Sequence, residues 1–269
     1  MKTKYLNSVT WVLLYAFAIT VLLFTLLPIL MIFPFAFNSA KYLSFPPQGF
    51  SLQWFSSFFS EPSWVNATLK SLQIAVLTTI LSVFCGTLAA FAIVRKKMRY
   101  GNAISIFLLF PMIGPHITFA IGVFGIFSRL NLAGTTLGLV LAHSAIAVPF
   151  VYINVASRLS TFDSSLERAA QSLGASQLEC FLRITAPIIA PAIIAGGVFA
   201  FIMSWDEFIV TYFVADTNTQ TLPLRFFSGI EYGVDVTAAA AAVLVLVALF
   251  LGIVLYRLTS FWINRRRWK

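Results

Sequence analysis

Apolar stretches of twenty or more residues recur along this chain, with basic clusters standing just outside them. That alternation leaves few folds open. A helix needs about 20 mostly apolar residues to cross a bilayer core roughly 30 Å thick, and inside that core every backbone polar group must be satisfied by the segment itself. The stretches 11–37, 71–94, 103–127, 135–156, 187–214 and 236–258 meet the length. They predict an all-α, polytopic membrane protein with six transmembrane helices, arranged as one transmembrane domain over 1–269. Only 10% of the residues are charged, against about 25% in a soluble domain. A water-facing shell is therefore excluded.

Charge placement sets an orientation. Lys2 and Lys4 precede the first stretch, Arg95, Lys96, Lys97 and Arg99 follow the second, and Arg257, Arg265, Arg266, Arg267 and Lys269 close the chain. Arg158, Arg168 and Arg183 fall in the polar segment between the fourth and fifth. Of the 18 lysines and arginines, only Lys41, Lys70, Arg129 and Arg225 lie on the other side. Basic residues are retained on the cytoplasmic face of a bilayer, so both termini are expected in the cytoplasm of a bacterium, with the helices in its inner membrane among lipid. The same placement removes nucleic acid as a partner, despite a net charge of +9. The apolar run 9–37 is too long for the roughly 7–15-residue core of a signal peptide and reads as a retained helix.

Breaks are also legible. Pro46, Pro47 and Gly49 stop regular structure in the first outer loop. Trp54, Phe55, Phe58, Phe59 and Trp64 then suit a segment lying at the membrane interface. Gly114 and Pro115 interrupt the third helix, because proline lacks an amide donor and clashes with the turn before it. The small-residue runs 195–197 and 238–242 predict close helix packing. Cys85 and Cys180 fall in different environments and offer neither a disulfide framework nor metal-ligand spacing.

One segment, about 157–186, is long, polar and mixed in charge. Within it a short helix is expected over 163–173, capped by Ser160, Thr161 or Asp163, with Glu167 near its positive end. Ala169 and Ala170 present little bulk. Gly174 follows the helix end, where glycine alone takes a positive φ cheaply. Both a docking element for another protein and an ordinary loop helix fit these residues.

The segment resembles the EAA loop of binding-protein-dependent ABC importer permeases. Their pattern is Glu-Ala-Ala, three residues, Gly, nine residues, Ile, one residue, Leu-Pro. Ala169, Ala170, Gly174, Ile184 and Pro187 stand at those spacings. Arg168 occupies the first position, with the acid one residue earlier at Glu167, and Ala186 replaces the leucine. The run Leu173–Ser176 and the later SWDEF run resemble the spermidine/putrescine-type branch, in the shorter of its two channel subunits. The resemblance implies a cytoplasmic coupling helix, with Glu167, Arg168, Ala169, Ala170, Gly174, Ala175 and Ser176 at the contact with an ABC ATPase dimer. It further implies a second homologous permease and a periplasmic or extracellular solute-binding protein. No GxxxxGK[ST] phosphate loop occurs, so ATP-Mg is expected on the partner ATPase and no cofactor or metal on this chain.

Asp206 and Glu207 stand within the fifth apolar stretch. Charges at mid-membrane cost on the order of 2.5–3.5 kcal/mol on insertion scales and usually face a protein interior or a water-filled path. Beside Trp205 and Tyr212 they suit an organic cation, through charge pairing and cation–π contact. A pair bonded to neighbouring helices, away from solute, fits as well. His116 follows Pro115 at the helix 3 break, where some polyamine permeases carry an acid; lining a pathway and packing on a neighbour are both open to it. His143 reads as structural. Two other classes compete with the importer permease: an ATP-independent transporter or channel, which the broken helix and intramembrane acids would suit, and a membrane enzyme. No G-x-S-x-G or H-E-x-x-H motif supports the last, and no catalytic residue is assigned.

Overall fold

The computed structural model describes residues 8–95, 98–231 and 235–267. Lys2, Lys4, Lys96, Lys97 and Lys269, used above for orientation, lie outside the described residues. The described chain is helical, without a strand among the described residues. It divides into two compact units, Met1–Val65 with Phe226–Lys269, and Asn66–Arg225.

In the first unit α1 (Ser8–Ala36) continues through Pro28 and Pro34. Its last turn meets α2 (Gln53–Ser60) and, from the other end of the sequence, α12 (Thr237–Arg267). Ala36 and Ala240 are fully buried at this junction, with Val243, Phe33, Trp54 and Phe55 around them. The alanine run 238–242 thus does what small residues do between helices: it removes side-chain bulk so that backbones approach. Most of α1 is exposed apolar surface. The loop between α1 and α2 folds on Asn38, whose Oδ1 accepts from the amides of Ala40 and Gln48 at 3.2 and 3.0 Å. The Trp54 indole in turn donates to the Asn38 carbonyl at 2.7 Å. Trp64 departs from the interfacial expectation. It is fully buried, against the rings of Phe58 and Phe226.

The second unit is built on α6 (Thr136–Ser160). The helix runs unbroken through Pro149 and is the most buried of the apolar helices. Its Val151 lies where α3 (Pro62–Ala90) and α9 (Ala186–Asp206) come closest. A Cβ on Gly86 would stand 2.7 Å from the Val151 side chain, and one on Gly196 2.8 Å from its Cα. Gly197 likewise faces Val83. Glycines at 86, 196 and 197 therefore let three helices touch. Helix α3 starts earlier than its apolar run, because Pro62 at its first turn needs no amide partner there. Lys70 consequently sits on a helix, bonded to Gln73 and Thr136.

Two expected helices are broken more sharply than the sequence indicates. The third becomes α4 (Gly101–Ile113) and α5 (His116–Arg129), bent by 105° across Gly114 and Pro115. The fifth does not run on to residue 214. It ends at Asp206, and α10 (Ile209–Val214) starts afresh after an extended Glu207. Among the described residues five helices are long and apolar enough to cross a membrane, and α4 with α5, counted as one broken span, brings the number to six. The loop expected after residue 214 contains a further helix, α11 (Leu222–Glu231).

Candidate functional site

Residues 161–186 form a compact elbow. Helix α7 (Ser165–Ser172) has Ser164 at its N-cap, and the carboxylate of Asp163 just before it accepts from the Ser165 amide at 2.8 Å and its hydroxyl at 2.7 Å. Those two bonds, with the nearby Arg168 charge, hold the Asp163 carboxyl below its ordinary range. The cap therefore falls on Ser164 and not on Ser160, Thr161 or Asp163, although Asp163 does hold the first amide of the helix. Ser160 and Thr161 instead bond back to the last turn of α6. After α7 the chain reverses at Gly174, with φ +93° and open space where a side chain would stand. Ala175 then returns its amide to the Ala170 carbonyl at 3.1 Å.

Ser176 starts α8 (Gln177–Cys180) through a capping box. Its hydroxyl accepts from the Glu179 amide, and the Glu179 carboxylate accepts from the Ser176 amide at 2.9 Å. The Ser-x-x-Glu spacing carried that signal, and it gives Ser176 a local task. A π-helical segment, Phe181–Thr185, leads into α9, and another, Phe91–Arg95, ends α3. The two meet edge to face through Phe91 and Phe181.

Glu167 joins these pieces. Its carboxylate receives the Arg95 guanidinium on one oxygen and the Thr185 hydroxyl on the other. Arg95 also lies over the Phe162 ring, 5.3 Å from its centre. The acid displaced by one residue is thus turned inward, onto the ends of two apolar helices. Arg168 is turned outward and donates to Oγ of Ser164, at the start of the same helix, at 2.6 Å. Ala169 is exposed and Ala170 half-buried. Leu166, Leu173, Leu178 and Leu182 are exposed around the elbow, Leu173 by 90%. From sequence Arg95 reads only as part of an orienting basic cluster, and Thr185 carries no signal. Nothing in their spacing marks them, since they lie 72 and 18 residues from Glu167.

The second constellation lies at the two helix breaks. Glu207 is buried, while Asp206 beside it is exposed. One Glu207 oxygen accepts from the Val210 amide at 2.9 Å, satisfying an otherwise orphaned donor of α10. The other stands 3.4 Å from Nδ1 of His116, the first residue of α5. His143 braces the break from α6. Its ring nitrogens bond Ser204 of α9 at 3.0 Å and Thr211 of α10 at 3.1 Å, which accounts for its structural reading. Trp205 stacks on Phe201, and Tyr212, half exposed, meets Phe208 and Phe213. The sequence-predicted pair is therefore split: Glu207 is bonded inward and Asp206 is open. Among the described residues no group of three or more His, Cys, Asp or Glu could hold a metal.

Five or six apolar spans among the described residues, with an exposed elbow tied to two of them, make the architecture of a multi-pass helical membrane protein. The chain belongs to the family of binding-protein-dependent transport system inner membrane components, which matches residues 82–268. It is 32% identical to the spermidine/putrescine transport system permease protein PotC of Haemophilus influenzae, over 86% of this chain and 90% of that protein. It is also 32% identical to the putrescine transport system permease protein PotI of Escherichia coli, over 81% and 80%. Its fold matches a bacterial ABC transporter involved in import of the acidic polysaccharide alginate. The TM-score is 0.69 at 15% identity, covering 96% and 99% of the two chains.

Proposed function

We propose that this chain is the permease subunit of an ATP-driven importer for polyamines or similar small organic cations. Its 269 residues act as one transmembrane domain beside a second, homologous permease, with both termini in the cytoplasm. A solute-binding protein delivers the solute from outside. An ATPase dimer, the site of ATP-Mg, docks on α7 and the Gly174 turn, and this chain does no chemistry of its own. The observation that carries the reading is the elbow. It is an exposed short helix with small residues and exposed leucines, and its one inward acid grips the ends of two apolar helices. Motion imposed on such a helix is passed to both. The carboxylates at the break in α9–α10 and the ring of Tyr212 supply the cation preference.

The test is ATP-dependent uptake of labelled putrescine by the complete transporter in proteoliposomes. Uptake that needs ATP and the binding protein supports the reading, whereas a complex that moves only anionic or neutral solutes refutes the solute class. Gly174→Leu strains a turn with φ +93° and fills the open space beside it. Uptake and solute-stimulated ATP hydrolysis are expected to fall together, at least ten-fold, with membrane insertion intact. Normal coupling in that variant would remove the elbow from the docking surface.

A further inference from the structure

His143 lies within α6, is 1% exposed, and is bonded on both ring nitrogens. Its partners decide which nitrogen carries the proton. Thr211 has one hydroxyl proton, and that proton goes to the Glu207 carbonyl at 3.0 Å. Toward the same Thr211 oxygen, 3.1 Å away, His143 Nε2 can therefore only donate. A buried ring with a hydroxyl on each nitrogen stays neutral, because burying an unpaired charge is costly. Nδ1 is then the acceptor, and the Ser204 hydroxyl donates to it at 3.0 Å. The bonds form a chain of one direction: Ser204 to His143, His143 to Thr211, Thr211 to the carbonyl of Glu207.

The chain starts in the last turn of α9, crosses α6, enters the first turn of α10 and returns to the residue at the break. Glu207 is thereby held twice by α10, its carboxylate by the Val210 amide and its carbonyl by the Thr211 hydroxyl. Apolar packing does a different task. Ala120 of α5, Val140 and Ile146 of α6, and Val210 and Val214 of α10 share one buried cluster. Such burial is non-directional, so it attaches α10 to its neighbours without fixing rotation about its axis. Hydrogen bonds with assigned donors and acceptors fix it. We propose that His143, as the neutral tautomer protonated on Nε2, is a positioning residue of the translocation pathway. The chain that it completes sets the rotation of α10 at the break, and with it where Glu207 and Tyr212 stand. The consequence for transport rests on the pathway role given above to this break, whereas the chain itself does not.

The test separates positioning from stability in the complete transporter. Thr211→Val removes the hydroxyl at nearly constant volume and leaves the His143 donor buried without an acceptor. It is expected to lower both the melting temperature and putrescine uptake, the uptake at least five-fold. Thr211→Ser keeps the hydroxyl and should restore both to within two-fold or a few degrees of wild type. Adding His143→Leu to Thr211→Val removes donor and acceptor together, a change that can be nearly neutral for stability. The double variant should therefore melt above Thr211→Val while its uptake stays at least five-fold down. Uptake that recovers with the melting temperature makes His143 merely structural and overturns the proposal. Failure of Thr211→Val and the double variant alike to assemble does the same. Hydrogen exchange gives a readout that needs no solute. In Thr211→Val the amides of Ile209–Val214 should exchange at least ten-fold faster, with those of His116–Arg129 on α5 unchanged. No change in α10, or an equal rise in α5, overturns the chain. A wild-type complex that moves no putrescine refutes the solute reading, and the exchange comparison then decides the chain by itself.

Discussion

Glu167 shows how one side chain can serve two spans. A half-buried carboxylate held by a guanidinium and a hydroxyl is worth more than an exposed pair of about 0–1 kcal/mol, because the solvent that would screen it is partly excluded. Glu167→Gln should lower uptake several-fold while the complex still hydrolyses ATP, since the elbow remains but grips less. Arg95→Gln should do the same. The double variant should be no worse than either single one, as expected for two groups sharing one interaction. Additive losses in the double variant would show that the two residues act separately. The sequence placed an acid at this site and noted its one-residue displacement. Its partners were illegible, because which helix ends approach residue 167 is a property of packing alone.

At the scale of elements, the glycines around Val151 are the counterpart. Proximity of α3, α6 and α9 depends on Gly86 and Gly196, where added Cβ atoms would fall inside van der Waals contact. Overpacking of this kind costs roughly 1–3 kcal/mol. Gly196→Val should lower the melting temperature of the detergent-solubilised complex by several degrees, and Gly252→Val, in open space on α12, should leave it unchanged. Equal shifts for the two variants would mean that helix propensity, not the close approach, governs the effect. The run of small residues announced tight packing in the sequence. That Val151 is the residue gripped required the structure.

The whole molecule carries the orientation. A reporter active only in the cytoplasm should work when fused after Arg99, near Gly174 or at Lys269, and should be silent near Pro46. Activity near Pro46 would reverse the arrangement. The reasoning is electrostatic and sequence-wide: moving basic clusters across a bilayer against the insertion bias is costly, whatever the helices do between them.

Apolar runs, basic flanks and the Ala-Ala-x-x-x-Gly spacing are local or periodic features, so the chain alone determined a helical, multi-pass permease with an exposed elbow. It also marked the proline break at residue 115, since proline acts on its own turn. The tertiary structure decided what depends on distant approach. The 105° bend between α4 and α5 is one case. Another is the end of α9 at Asp206, where an apolar pattern that would continue as helix is stopped by a carboxylate bonded to the next helix's amide. The separate fates of Asp206 and Glu207 follow from that break, because adjacent residues on an intact helix differ only by about 100° of rotation. Here one residue caps a helix and pairs with His116, while its neighbour stays open.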